Sequence, residues 1–452
     1  MIYLKLCENQ DQEWSPVTIS SLAKMIIGVN SMVVENLDVS EKGDQIIIQA
    51  RPYKRDMCRC GLCGKKAPKY DRGSGLRRWR APDIGNSVEV YVEAEAIRVL
   101  CPEHGVVVQQ FPWARHKSRF TKNFEEIVVW LSLHLSRKAV AEYLRVSWDT
   151  VGPIISRVEN ELSEGSCPFD KLVNIGIDET SYKKGHKYIT IIVNHDTNTV
   201  VWVHKGFGKD VLEEFFKELT EEQKSNIKLV SGDGAKWIKN TVNSHCPHAT
   251  FCIDPFHVIS WATEALDAVR KDEWNKARYE LKKSNQKAKG KRGRPKGGHK
   301  EKTTLELQIE AVRSAKYPLL MNPENLSETY QAKLQQILLR DRRLATAYRL
   351  KEDLRLIFKM DISEVPAALE KWRRRAWSCR IPVFVELQRK IKRHKNAILA
   401  TISHGISNAR IEATNNKIKL SIRMAYGFRN ISNLISMIML RCGGLAVSLP
   451  GR

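Results

Sequence analysis

The sequence predicts a multidomain α+β chain, and three observations predict it. Between Lys171 and Asp254 short Val/Ile-rich runs alternate with helical patterns. Helical periodicity alone governs the long stretches on either side of that block. Two close pairs of cysteine and histidine sit further towards the N-terminus, separated by strand-like sequence.

The N-terminal segment, 1–50, reads as a helix, 17–27, and two strands, SMVVENLDV and QIIIQARP, about a Lys42-Gly43 turn. It carries no readable function. Residues 51–118 hold Cys60-Gly-Leu-Cys63 and Cys101-Pro-Glu-His104. Two such pairs on turns can close a tetrahedral structural zinc site. Cys58 competes with Cys60 for the first position. Lys65, Lys66, Lys69, Arg72, Arg77, Arg78 and Arg80 crowd the intervening sequence around Trp79, so either the metal braces a DNA-contacting loop or this is a solvated basic face.

Residues 119–166 turn helical: FTKNFEEIVVWLSLHL, SRKAVAEYL and VSWDTVGPIISRVENEL. A short helix with Ala139, Val140, Ala141 and Leu144 inward, a tight turn at 145–147 and an N-cap at Ser147 form a helix-turn-helix. Trp148, Asp149 and Thr150, with Arg157 further on, would then face a DNA groove. Pro153 removes a backbone donor and predicts a kink. An ordinary helical bundle is the plainer alternative.

In 170–258 the run LVNIGID is expected to be a strand ending at Asp178, followed by a polar loop. HKYITIIVNHD and TNTVVWVHKG form a meander, a helix spans 209–219, and IKLVSGD ends at Asp233 between Gly232 and Gly234. A second helix, 235–244, leads to ATFCID and Asp254. Strand, strand, strand, helix, strand, helix, strand, with acids closing the first and fourth strands, is the element order of an RNase H-like core. Its third carboxylate is Glu412, on a helical stretch in 403–446 whose Asn415, Asn416 and Lys419 share one face with it. Asp254, with His257 one turn on, is the competing acid. The 259–402 stretch between them is charge-rich and helical, an insertion into the core. Within it, 286–302 is almost wholly basic and polar, and its centre, Arg292 to Pro295, suits an arm in a narrow minor groove. Arg292 and Arg294 are its groove-facing candidates, and a flexible solvated loop is the alternative.

A net charge of +24 over 452 residues calls for a polyanionic partner. No apolar run reaches the ~20 residues of a membrane span, so a cytoplasmic, nucleoid-associated protein without membrane contact is expected. The mostly solitary cysteines fit reduced thiols.

Together, IGIDETSYKKGHKY, VSGDGAKWI, CIDPFHV, EALDAVR and SNARIEATNNKIK followed by AYGFRN, with the CxxC and CPEHG pairs, PWAR and RVSWDTVG, resemble the bacterial insertion-sequence transposases of the ISL-three family. The resemblance spans nearly the whole chain. It implies a DDE triad of Asp178, Asp233 and Glu412, a zinc-binding segment at the Cys/His pairs and a helical insertion. The chemistry expected of three such carboxylates is in-line phosphodiester transfer with two magnesium ions, manganese substituting. Asn416 and Lys419 are expected to hold phosphate or terminal bases nearby. The expected partners are double-stranded DNA, both terminal inverted repeats and target, and a second copy of the chain in a dimer or higher oligomer. Two other classes fit parts of the sequence: a zinc and helix-turn-helix regulator that cuts nothing, and an RNase H-like nuclease that cuts without joining.

Overall fold

A computed structural model describes residues 18–85, 87–164, 167–288, 302–405, 409–447 and 449. Arg292 and Arg294 lie outside the described residues. The chain divides into two units, 1–166 with 423–452, and 167–422.

The first unit opens with α1 (Ile19–Ile27), capped by the Thr18 side chain on the Ser21 N–H. Strands β1 (Met32–Val39) and β2 (Gln45–Pro52) follow, then β3 (Lys69–Asp71), β4 (Leu76–Ile84), β5 (Val88–Glu95), β6 (Arg98–Cys101) and β7 (Gly105–Val108). They make a four-stranded sheet, β1-β2-β5-β4, and a three-stranded one, β3-β6-β7. Trp79, Phe111 and Trp113 meet in the core beside the larger sheet. The alternation of β4 explains its basic run: Trp79 faces in, Arg78 pairs with Glu93, and Arg80 is buried against Asp83 and Glu89.

Helices α2 (Lys122–His134), α3 (Arg137–Tyr143) and α4 (Trp148–Ser163) come next. Thr121, Ser136 and Ser147 cap them in turn. The turn between α3 and α4 places Arg145 at φ 52°. The helix α4 continues through Pro153, which sits on its exposed side.

In the second unit β8 (Asn174–Lys183), β9 (Lys187–Asn194) and β10 (Thr199–Lys205) form the meander. Helices α5 (Lys209–Glu218) and α6 (Glu221–Asn226), strand β11 (Leu229–Gly232), α7 (Lys236–His245) and β12 (Thr250–Ile253) complete the sheet, ordered β10-β9-β8-β11-β12. The two later strands run parallel to β8. The architecture is RNase H-like, as the element order predicts, with α6 as an unforeseen extra turn.

One difference concerns Asp178. The strand does not end there: β8 runs on to Lys183, hydrogen-bonded to β9 as far as Lys183↔Lys187. The polar segment after Asp178 alternates well enough to continue an antiparallel hairpin, so the acid lies mid-strand. What ends near it is the pairing with β11, which stops at Ser231↔Gly176.

The insertion begins with the long α8 (Pro255–Ala288) and continues through α9 (Thr304–Ser314), α10 (Lys316–Leu320), α11 (Glu328–Arg340), α12 (Arg342–Ile357), α13 (Val365–Ser378), α14 (Pro382–Arg393) and α15 (Lys395–Ser403). It shares one hydrophobic core with the sheet, from Ile175, Ile177 and Phe251 through Val258, Leu266 and Leu354 to Trp372 and Ile398. At the seam Thr401 donates to the Ile253 carbonyl at 2.7 Å. The KWRRRAW cluster lies on α13 with Trp372 buried, while Arg373 and Arg375 pair with Glu370 and Asp353.

The last helices are α16 (Ala409–Met424) and α17 (Ile431–Cys442). Sequence alone groups 403–446 together. Instead Met437 and Leu440 of α17 fill the core of the helix-turn-helix with Phe124, Val128, Val151 and Ile155. Gly152 of α4 permits that approach, since a Cβ there would lie 2.7 Å from Asn433 Nδ2. No described helix is long and apolar enough to cross a membrane.

Candidate functional site

The carboxylate site is built on the face of β8 opposite its core residues. Ile175 and Ile177 point into the hydrophobic core, so Gly176 and Asp178 share the other face. Gly176 is where α16 comes down: a Cβ would lie 2.3 Å from Ile411 Cδ1 and 2.8 Å from His195 Nε2. One turn along α16, Asn415 donates its amide N–H to Asp178 Oδ2. The other oxygen, Oδ1, accepts the Glu179 N–H at 2.7 Å.

Asp233 follows directly on β11. With Ser231 opposite Gly176, the parallel register carries Asp233 alongside Asp178. Likewise Gly232↔Ile253 carries Asp254 alongside Asp233. Three neighbouring strands therefore bring acids to one edge. Asp254, buried, accepts the Phe256 N–H at 2.8 Å and so caps α8, with His257 Nε2 3.7 Å from its other oxygen. Asp233 accepts the Ala235 N–H at 2.8 Å and stays half-buried.

Burial pushes the Asp178 carboxyl above its usual range. Bonds from Asn415 and Glu179 and the charge of His257 pull the other way, while the charge of Asp233 adds to the rise. Glu179 is likewise raised by burial, and its Oε1 accepts the Gly208 N–H at 3.0 Å. The charge of Asp233 acts upward on both Asp178 and Glu179, and carboxylates crowded in this way are a donor set a hard divalent cation would relieve. Glu412 sits in the first turn of α16 with its side chain exposed, as are Asn416 and Lys419. It is Asn415, one helical turn beyond Glu412, that touches Asp178; the sequence placed it on the right face without a role.

The second site is tighter. Cys60, Cys63, Cys101 and His104 bring their ligand atoms within 4.8 Å of one another. Among the described residues no other group of three or more such ligands gathers so closely, and Asp178, Asp233 and Glu412 do not. Individual edges are 3.7 Å for Cys63–Cys101, 3.6 Å for Cys101–His104 and 3.8 Å for Cys60–His104. A tetrahedron with metal–sulfur bonds of ~2.3 Å has edges of ~3.8 Å. The bond with His104 leads in drawing the Cys101 thiol down to about 6, which favours the thiolate a metal needs. Cys58 lies outside the cluster and packs against it from a left-handed backbone position, φ 57°.

Of the expected DNA-facing residues, Trp148 is partly exposed, with Arg137 and Arg429 4.8 and 6.0 Å from its ring centre. Asp149 is exposed and Thr150 half-buried. Arg157 is engaged within its own unit. Its guanidinium pairs with the fully buried Glu125, which also takes Arg115 at 3.2 Å and the Ser118 hydroxyl at 2.7 Å.

Comparison with known proteins adds three matches along the chain. Residues 175–438 match a family described as "Transposase", the ISL3 DDE domain. Residues 109–158 match the "helix-turn-helix domain of transposase family ISL3". Residues 56–104 match the "zinc-finger of transposase IS204/IS1001/IS1096/IS1165". The first alone covers more than half of the chain. This chain belongs to the ISL3 family of transposases. Among relatives, the transposase for insertion sequence element IS1557 of Mycobacterium tuberculosis is 44% identical over 95% of this chain and 97% of its own length. The transposase for IS1001 of Bordetella parapertussis is 24% identical, over 86% and 90%. For an ISL3 transposase the zinc-finger match coincides with the Cys/His cluster, and the DDE match spans Asp178, Asp233 and Glu412.

Proposed function

We propose that this ISL3 transposase binds the terminal inverted repeats of its element, cleaves there and joins the freed ends to target DNA, with Asp178, Asp233 and Glu412 as the catalytic carboxylates. The observation that supports the reading is that Asp178 on β8 and Asp233 just beyond the adjacent parallel β11 come out side by side, with the helix that bears Glu412 packed on Gly176 of β8. When bound, two divalent ions, magnesium or manganese, would polarise the attacked phosphate and steady the attacking and leaving oxygens. Asp178 would hold both ions, and Asp233 and Glu412 would each complete one. Asn415 keeps the Asp178 carboxylate in one rotamer. Glu412 is exposed one turn before Asn415, which touches Asp178, and the reading requires it to turn towards the same edge when the ions bind.

In the first step a water oxygen bonds to phosphorus and the bond to the 3′ oxygen breaks; the water gives a proton to solvent and the departing 3′ oxygen takes one up to become a hydroxyl. In the second, that 3′-hydroxyl attacks a target phosphate and displaces the target's own 3′ oxygen. Asn416 and Lys419, further along α16, hold the DNA backbone or terminal bases. Zinc at Cys60, Cys63, Cys101 and His104 fixes the β3-β6-β7 segment. Trp148, Asp149 and Thr150 open the recognition helix, the arm with Arg292 and Arg294 follows the minor groove, and two copies pair the two ends.

The test is cleavage and strand transfer on a duplex carrying the element's end, with wild type beside Asp178→Asn and Glu412→Gln. Products from wild type alone, with end binding retained by all three, are expected. Binding by all three without products at any magnesium or manganese concentration would instead make the chain a DNA-binding regulator. Cleavage without joining would make it a nuclease.

A further inference from the structure

Beside Asp233 the insertion builds a second feature that the carboxylates do not use. Gly234 is the residue after Asp233, and a Cβ there would lie 2.7 Å from both Cζ2 and Cη2 of Trp261 on α8. The indole of Trp261 therefore rests directly on the chain that carries the acid, and only glycine leaves room for it. Over the face of the same indole sits Lys390 of α14, its Nζ 3.5 Å from the ring centre. His394 flanks the same ring, with centroids 5.6 Å apart.

The ammonium of Lys390 is half-buried, and burial lowers its pKa from the ordinary lysine value. The charges of Glu264 and Asp233 reach it, yet among the described residues no carboxylate pairs with Lys390, Lys239 or Arg393. All three cations and Asp233 act on His394. A lysine held on an aromatic face, partly out of water and without a counter-ion, is a costly arrangement unless an anion completes it. Lysine also serves as a compact point charge for phosphate.

Resting on the reading of Asp178 and Asp233 given above, we propose that Lys390, seated on Trp261, binds a backbone phosphate of the DNA strand entering the carboxylate site, with Lys239 and Arg393 continuing the track. The ligand class is a phosphodiester one or two nucleotides from the bond that is cut. Gly234 and Trp261 are positioning residues, fixing the height of the ammonium above the strand ends.

The experiment is single-turnover cleavage at saturating end duplex, with wild type, Lys390→Met, Lys390→Arg and Asp178→Asn. The phosphates flanking the cut are replaced one at a time by neutral methylphosphonate. Methionine keeps the hydrocarbon stem on the indole, and equal thermal melts would exclude misfolding. A charge-assisted contact corresponds to roughly a 10- to 150-fold loss in rate for Lys390→Met, with partial rescue by Lys390→Arg. One methylphosphonate position should slow wild type by a similar factor and Lys390→Met no further. Full-speed cleavage by Lys390→Met, with Asp178→Asn inactive, overturns the phosphate site alone. So would losses that multiply at every methylphosphonate position. Full activity of Asp178→Asn would remove the catalytic reading, and this proposal with it.

Discussion

At Glu125 a single carboxylate decides how the helix-turn-helix is held. It has no exposed surface, and Arg115, Arg157 and Ser118 converge on it from the loop before α2 and from α4. Without Arg157 the buried carboxylate keeps Arg115 and Ser118 but loses part of its compensation, at a cost below the ~3–5 kcal/mol of leaving a buried charge with no partner. Arg157→Ala should therefore lower the unfolding midpoint in urea, while the affinity of the remaining folded protein for end DNA changes little. A DNA-contacting arginine would behave the other way: stability unchanged and the salt dependence of binding reduced by about one ion. From the sequence, Arg157 is merely a basic residue on the recognition helix. Its partner Glu125 lies 32 positions away, in a stretch whose periodicity does not mark it as buried. Charge on a helix is legible; what the charge is paired with is not.

The segment that matches the ISL3 zinc finger is organised around four side chains, Cys60, Cys63, Cys101 and His104. Its own core is small: Cys60, Ala67, Val99 and Cys101, with Val107 at the edge. So few apolar groups offset little chain entropy, and structural metal makes up the difference in such segments. Treatment with a strong chelator, or Cys63→Ser, is expected to release about one zinc per chain and expose the β3-β6-β7 segment to limited proteolysis, while the second unit keeps its melting transition. Zinc content with cleavage-site mapping measures both. Here the sequence was a good guide, because ligand spacing on tight turns is a local property. It located the cluster, though Cys58 and Cys60 became distinguishable only once β6 brought Cys101 across. In the second unit the succession of strands and helices along the chain, with Asp178 on one strand and Asp233 just after another, is legible for the same local reason. The continuation of β8 past Asp178 is not, since it depends on pairing with β9.

Across the whole molecule the least legible feature is the return of α17. Its apolar face could pack on either unit, and the partner positions precede it by 280 residues in α4 and 308 in α2. Leu440, 4% exposed, is a fair probe. Leu440→Ala should cost about 2–5 kcal/mol, and the loss should appear in the transition of the DNA-binding unit rather than in that of the carboxylate-bearing unit; differential scanning calorimetry of the full chain separates the two.

The same feature has a temporal side. On the ribosome the second unit, a continuous stretch from 167 to 422, can close as soon as it emerges. The first unit, begun earlier, waits with a gap in its core until Met437 and Leu440 are made. A chain whose synthesis stops before α17 thus carries the acids while the helix-turn-helix still lacks part of its core.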